Sequence, residues 1–235
     1  MKIQLLPQFA SALILGSLMF NAAHASTFTI DNFSMSQTVT DRGDTPGSTS
    51  NFLNPISGTD LVDASRTLIA ESAFGTEANK TKIKITAGDL KISNNDDSAV
   101  LASVLWRFAA TDFTVFGDAL TLQVKDHDLK PTEHLGIELI ANGTSSTGIK
   151  SFTGVGEFMV NFADFLQPIT LASVNSLRIN FTGPAAWDGK FGALSITHHM
   201  APQISSIPLP PSLWLMATSL VGLLTFSRSK SQQGA

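Results

Sequence analysis

The fold is decided by one stretch of alternating residues, Ser176-Leu177-Arg178-Ile179-Asn180-Phe181-Thr182. Successive side chains of a β-strand point to opposite faces, so this alternation places Leu177, Ile179 and Phe181 together on one face. The stretch therefore predicts a strand with one face against a core and the other toward water.

The same pattern recurs along the chain, in residues 119–125, 157–162, 135–140 and 82–86. Residues 100–108 are apolar on both faces, which predicts a central strand. Turn-forming Gly, Asn and Asp separate these segments at 87–89, 94–97, 142–144 and 188–189. Short strands at this spacing, without helical periodicity before the C-terminal tail, predict an all-β protein that forms an antiparallel β-sandwich or jelly roll.

Residues 35–60 differ from the rest of the predicted domain. They are rich in Ser, Thr, Gly and Asp and contain few large apolar residues. We therefore expect a long surface loop around at most one short strand.

The N-terminus has the features of a cleavable export signal. Lys2 supplies the positive region, residues 12–20 the apolar region, and Ala23-His24-Ala25 the small-x-small cleavage pattern. The apolar stretch is shorter than the ~20 residues that a membrane span needs. These features predict a signal helix over residues 1–25, which signal peptidase removes so that the mature chain begins near Ser26.

The C-terminus predicts a short membrane-seeking helix. Prolines in Ile207-Pro208-Leu209-Pro210-Pro211 precede the apolar residues 212–226, and proline is favourable at a helix start. At ~1.5 Å per residue this helix would reach about 22 Å, which is less than the ~30 Å hydrocarbon core. Arg228 and Lys230 follow it, so the tail should stay cytoplasmic while the main domain lies outside. We therefore expect transient contact with the inner membrane.

Together, these ends resemble the PEP-CTERM sorting signals of Gram-negative bacteria, which are processed by the membrane protease exosortase. The resemblance covers roughly the last 30 residues. Leu209 replaces the usual Glu, so the motif is closer to the variant Val-Pro-Leu-Pro-Ala, from which Ile207 and Pro211 depart. The resemblance implies that residues 204–235 are a sorting tail, that an exosortase-like protease is a partner, and that the protein reaches the cell surface or the extracellular space. An ordinary single-span anchor is the alternative.

Composition bounds the domain between these ends, residues 26–203. The chain has no cysteine, so an exported domain must depend on its core without disulfides, and about 180 residues suffice for one such core. Removal of the two ends deletes Lys2, Arg228 and Lys230 but no acidic residue, which leaves the domain more acidic than the net −4 of the whole chain. Without a basic cluster in the sequence, we expect neither nucleic acid nor anionic lipid as a partner.

A second resemblance lies within this domain. The opening segment Phe28-Thr29-Ile30-Asp31-Asn32-Phe33, the later Phe162-Ala163-Asp164-Phe165, and strands at 177–181 and 192–197 are similar in layout to galactose-binding-like jelly rolls and carbohydrate-binding modules. The Asp-Phe pairs could place an aromatic ring in the core while the carboxylate caps a turn. In that family the last strand often carries an acidic residue near a calcium, and residues 195–199 offer none. The calcium site is therefore not carried over, and we expect no cofactor.

Signatures of catalysis are missing from the sequence, which has no Gly-x-Ser-x-Gly elbow, His-Glu-x-x-His helix, phosphate-binding glycine loop or cysteine nucleophile. Asp126-His127-Asp128 could belong to a metal or acid–base cluster, but its place after a predicted strand favours a solvated turn. We expect no enzyme activity, no catalytic residues and no metal site.

Three other groups of titratable residues also favour structural interpretations. His198 and His199 should point to opposite faces of a strand, so they are unsuited to share a metal. Asn95-Asp96-Asp97 has oxygens that suit calcium but lacks the spacing of a calcium loop, which favours a plain turn. Glu133 and Glu138 could be imagined as a glycosidase pair, and nothing in their spacing supports it.

Two tryptophans have different predicted environments. Trp106 lies in the most hydrophobic run, so we expect it in the core. Trp187 lies in the turn-rich segment 183–189, where it could stack on a sugar ring or close the open end of the sandwich. The second interpretation is favoured, and Trp187 remains the one candidate for glycan contact.

From the sequence we therefore expect an exported, surface-sorted, non-catalytic component of the envelope or extracellular matrix. This function follows mainly from the resemblance to exosortase-sorted proteins. The alternative is a carbohydrate-binding module that recognises extracellular polysaccharide.

Overall fold

The computed structural model describes residues 27–44, 46–72, 80–95, 101–166 and 171–198. Within these ranges the chain forms the following strands: β1 (Phe28–Asp31), β2 (Gln37–Asp41), β3 (Thr49–Leu53), β4 (Ser65–Glu71), β5 (Lys80–Thr86), β6 (Asp89–Asn95), β7 (Leu101–Thr111), β8 (Ala119–His127), β9 (Leu135–Ala141), β10 (Ser145–Ser146), β11 (Lys150–Phe152), β12 (Gly156–Asn161), β13 (Val174–Thr182) and β14 (Asp188–Thr197). Short 3-10 helices occupy Phe113–Val115 and Phe162–Asp164.

The strands form two seven-stranded sheets. Sheet 1 has the order β12-β8-β14-β6-β5-β2, with β1 also paired to β14; sheet 2 has the order β10-β9-β13-β7-β4-β3, with β11 also paired to β9. All of these pairings are antiparallel. Buried side chains from both sheets form one core, in which Phe181 of β13 and Phe191 of β14 approach to 4.7 Å between ring centroids. The prediction of an antiparallel β-sandwich is confirmed.

The decisive stretch forms β13 as predicted. Leu177, Ile179 and Phe181 are fully buried, and β13 lies between β9 and β7. The run predicted to be central forms most of β7, which pairs with β13 on one side and β4 on the other. Apolar periodicity therefore placed both of these strands correctly.

The prediction for residues 35–60 is wrong, because this segment contains β2 and β3. Inward positions of β2 carry the polar Gln37 and Asp41 on either side of Val39, and hydrogen bonds compensate for their burial. β3 is exposed except at Leu53, which is partly buried, and the strand pairs with β4 through its backbone. Neither strand has the apolar alternation on which the prediction depended.

A buried ion pair ties the opening of the chain to sheet 2. Arg66 Nη1 and Asp31 Oδ2 are 2.6 Å apart, and both side chains are fully buried. The same Asp31 oxygen accepts a hydrogen bond from Trp106 Nε1 at 2.9 Å, and Arg66 Nε donates to Gln37 Oε1 at 2.8 Å. Each charged group thus has several partners, as a charge buried in a core requires.

The signal segment, with Ala23, Ala25 and Ser26, and the C-terminal sorting tail lie outside the described residues. In the part of the chain that the structure describes, no helix is long and apolar enough to cross a membrane.

Candidate functional site

Trp106 and Trp187 are both in the core. Trp106 is fully buried, which confirms its predicted place, and Trp187 is only 2% exposed. A sugar-stacking platform needs an exposed ring face, so the interpretation of Trp187 as a glycan contact does not fit this conformation. Its burial agrees with the other interpretation, in which the indole closes the sandwich.

Glycines make room for the Trp187 indole. A Cβ added at Gly183 would lie 2.5 Å from Trp187 Cδ1, and one added at Gly189 would lie 2.7 Å from its Cζ3. Trp187 Nε1 is buried and has no hydrogen-bond acceptor among the described residues. The turn that suggested a surface loop therefore folds over its own aromatic residue.

Asp126-His127-Asp128 lies beside a cleft of about 460 Å³ where β6, β8 and β14 meet. Asp126 and His127 are the last residues of β8, whereas a turn had been expected throughout. Asp128 Oδ1 accepts a hydrogen bond from the backbone N of Asp188 at 2.7 Å, so this carboxylate fastens the strand ends to each other. Across the described ranges, no three His, Cys, Asp or Glu side chains group so as to hold a metal ion.

The remaining titratable candidates are not brought together as a site. Glu133 binds Lys130 in an exposed loop, while Glu138 lies on β9 and accepts from Asn180 and Ser146. His198 is exposed after the end of β14. His199, Asp96 and Asp97 lie outside the described residues, as does the side chain of Asn95.

A polar groove of about 340 Å³ lies on the outer face of sheet 2, and no sequence pattern had pointed to it. Its walls are formed by outward side chains of β7, β9 and β13 together with the turn after β9, and the lining residues are Leu105, Arg107, Ile140, Asn142, Gly143, Ser176 and Arg178. Because outward positions alternate with buried ones, the strands that build the core also place these side chains on a single surface.

A chain of hydrogen bonds holds the floor of the groove in place. Arg178 Nη2 donates to Ser103 Oγ at 3.0 Å, and Ser103 Oγ donates to Asn180 Oδ1 at 2.8 Å. Asn180 Nδ2 in turn donates to Glu138 Oε2 at 2.9 Å. Such a network fixes the Arg178 guanidinium before any ligand arrives, which lowers the entropy cost of binding.

Two guanidinium groups in the groove have no carboxylate partner in the part of the chain that the structure describes. Arg178 Nε is buried without an acceptor, and neither Arg107 nor Arg178 forms an ion pair within the described residues. An arginine offers five N–H donors in a fixed plane. The groove can therefore donate several hydrogen bonds to an oxygen-rich ligand.

The turn beside the groove is fixed by its own side chain. Asn142 has a φ of 51° and Gly143 a φ of 72°, which are values typical of Asn-Gly turns. Asn142 Oδ1 accepts from the backbone N of Asn175 at 2.9 Å, and its Nδ2 donates to the Ser173 carbonyl at 3.0 Å. The sequence predicted a turn here, but its position beside Arg178 depends on the pairing of β9 with β13.

Comparisons with known proteins return solved structures of low similarity to this chain. No family model and no curated protein matches it. A family 11 carbohydrate-binding module from Clostridium thermocellum, solved with a β-1,3-1,4-mixed-linked tetrasaccharide, matches 72% of this chain and 95% of its own at 9% identity, with a TM-score of 0.36. The family 11 module of a C. thermocellum cellulosomal cellulase matches 73% of this chain and 95% of its own at 10% identity, with a TM-score of 0.37. A family 28 module specific for non-crystalline cellulose matches 50% of this chain and 80% of its own at 10% identity, with a TM-score of 0.30. Since these scores are low, the fold assignment depends on the strand pairing described above.

Proposed function

We propose that this protein is an exported, non-catalytic module that binds extracellular polysaccharide through the groove on the outer face of sheet 2. The observation that carries the proposal is the pair of arginines Arg107 and Arg178, which have no carboxylate partner among the described residues, and Ser103 holds Arg178 in place from below. Sugar hydroxyl and ring oxygens are suitable acceptors for such donors, and the groove's Asn142 and Ser176 add further polar groups.

A binding role suits this groove better than a catalytic one. Glu138, the carboxylate that ends the hydrogen-bond network beneath the groove, is occupied, because one oxygen accepts from Asn180 and the other from Ser146. General acid–base chemistry on a glycoside requires two carboxyl groups that flank the bond to be cleaved. The groove residues that the structure describes do not include such a pair.

The lining of the groove also indicates how tightly it binds. No aromatic residue lines it among the described residues, so its contacts are hydrogen bonds and the apolar surfaces of Leu105 and Ile140. Without ring stacking, we expect weak binding of single sugars and useful affinity only for polymers that occupy the site repeatedly.

The two ends of the chain extend the proposal to location. Signal peptidase removes residues 1–25, and an exosortase-like membrane protease processes the tail at Ile207-Pro208-Leu209-Pro210-Pro211. The tail contacts the inner membrane only in transit, and the domain is then released to the cell surface or the extracellular matrix. This part of the proposal is supported by the sequence of both ends.

Glycan binding by charge-matched variants tests the groove. The purified protein is screened on a polysaccharide array, and the dissociation constant for the best ligand is measured for wild type, Arg178→Gln and Arg42→Gln. Arg42 is exposed beyond β2 and outside the groove, so its variant makes the same charge change elsewhere.

We expect Arg178→Gln to weaken binding at least tenfold, about 1.4 kcal/mol, and Arg42→Gln to leave it unchanged. Equal melting temperatures would show that the fold is intact. Failure of every polysaccharide to bind, or equal affinity of both variants, would refute the proposal.

A further inference from the structure

Three lysines lie side by side across neighbouring strands of sheet 1. Lys84 on β5 pairs with Lys91 on β6, and Lys91 pairs with Lys190 on β14. Adjacent strands are about 4.8 Å apart, and like charges directly opposite one another destabilise a sheet. A row of this kind therefore destabilises the folded state unless a negatively charged partner offsets the repulsion.

The row belongs to a larger cationic surface, which we call the lysine face. It also includes Lys80 and Lys82 of β5 and Lys125 of β8, which alternate with buried residues and so point to the same outer side. Lys125 and Lys190 bind Asp89, at 2.7 and 3.1 Å. The others on the face that lie well inside the described ranges, Lys82, Lys84 and Lys91, form no ion pair with a described residue.

The expectation that this acidic chain has no basic cluster is therefore wrong. The lysines are scattered over more than 100 residues of a chain whose net charge is −4, and strand pairing brings them together. Only the alternation Lys80-Thr81-Lys82-Ile83-Lys84 signalled the face, since it places three cations on one side of one strand.

The chemistry at one end of the lysine face indicates which polyanion fits. The cleft of about 460 Å³ there is lined by Lys91 and Lys190 together with the acidic Asp126, Asp128 and Asp188. Lysines bind carboxylates or sulfates, whereas aspartates accept hydrogen bonds from hydroxyl groups. An acidic polysaccharide carries both kinds of group on each repeat.

A nucleic acid fits this surface less well. The described outer positions of sheet 1 hold no phenylalanine or tryptophan on which a base could stack. All the cations on the face are lysines, whereas arginine is the residue enriched where phosphate is recognised in a bidentate manner.

We propose that the lysine face is a second binding site, specific for acidic polysaccharide, on the opposite outer side of the sandwich from the groove. The site does not depend on the proposed function, because the two surfaces share no residue. One molecule then presents two independent sites to the polymers around it.

The test compares two double variants with equal charge changes, Lys84→Gln/Lys91→Gln and Lys130→Gln/Lys150→Gln. The control lysines lie outside sheet 1, where each pairs with one acidic residue. Binding of polygalacturonate is measured over a series of salt concentrations, with a neutral β-glucan and double-stranded DNA as further probes, and Arg178→Gln is included.

We expect the face variant to bind polygalacturonate at least tenfold more weakly at low salt, with a salt dependence of log K shallower by about 1 to 2. Its melting temperature should be unchanged or higher, because the like-charge row is relieved. The control variant and Arg178→Gln should bind polygalacturonate as wild type does, whereas only Arg178→Gln should lose a neutral glucan that wild type binds.

Three results would overturn the inference: equal polygalacturonate binding by the face variant and wild type, an equal loss in the control variant, or tighter binding of DNA than of polygalacturonate. If Arg178→Gln loses binding of the neutral glucan, the groove proposal is supported even when one of these three results excludes the lysine face. The failures of the two proposals are thus distinguishable.

Discussion

Replacement of Trp187 by alanine should destabilise the fold without removing a glycan contact. The indole is 2% exposed, and burial of about 150 to 200 Å² at about 25 cal/mol per Å² is worth roughly 4 to 5 kcal/mol. The substitution also removes an N–H group that has no acceptor among the described residues, which returns about 1 kcal/mol. We therefore expect a net loss of about 3 to 4 kcal/mol, within the usual range for aromatic-to-alanine changes in a core.

Two companion variants isolate the cause. Trp187→Phe should cost only about 1 to 2 kcal/mol, because it keeps a ring and removes the unpaired donor. Gly183→Ala should destabilise by about 1 to 3 kcal/mol, because its Cβ would meet the indole at 2.5 Å. In the double variant Gly183→Ala/Trp187→Ala the indole is absent and the added Cβ meets no ring. The loss of unfolding free energy in the double variant should therefore be smaller than the sum of the two single losses.

Thermal and urea denaturation of these variants provide the assay. For a domain of this size, a loss of 3 to 4 kcal/mol corresponds to a fall of about 10 °C in Tm. A normal Tm for Trp187→Ala combined with lost glycan affinity would contradict a structural role for the indole. It would restore Trp187 as a binding platform.

Three further predictions concern the core, the pH response and maturation. Arg66→Met should destabilise by about 3 to 5 kcal/mol in urea denaturation, because it leaves Asp31 charged and buried without its cation; a loss below 1 kcal/mol would contradict this. Hydrogen bonds from Lys125 and then Lys190 hold the pKa of Asp89 below its ordinary 3.8, against the opposing effect of burial. The stability that the ionised Asp89 contributes should be complete above about pH 4 and should be lost as the pH falls through its lowered pKa. The fall of Tm in acid should therefore be smaller in Asp89→Asn than in wild type, whereas the pH dependence of Tm near neutral pH should be the same in both. Mass spectrometry of protein from the native host should find an N-terminus near Ser26 and no C-terminal basic residues; an intact tail would favour simple anchoring.

The fold could be predicted from the sequence wherever one face of a strand is apolar. β13, β8 and β9 follow this rule, and the binary pattern alone determines which side of each strand is buried. β2 was missed because its inward Gln37 and Asp41 are polar and depend on partners distant in the chain. A local pattern does not contain those partners.

The candidate sites were harder to predict because both are cross-strand surfaces. Arg178 lies in the very stretch that decided the fold, yet its neighbours Leu105 and Ile140 come from strands far away in sequence. Lys84, Lys91 and Lys190 are likewise adjacent only after the sheet has formed. The sequence offered Trp187 as its one candidate for glycan contact because an aromatic residue in a turn is visible in a sequence, whereas strand register is not.

The most direct test of the central proposal is a nuclear magnetic resonance titration of the purified protein with the polysaccharide that it binds best. We expect shift changes centred on the groove, at Leu105, Asn142, Gly143 and the Arg178 side chain. The Trp187 indole signal should stay unmoved. Changes centred on the turn at Trp187, or spread over the surface without a focus on the groove, would contradict the proposed binding site.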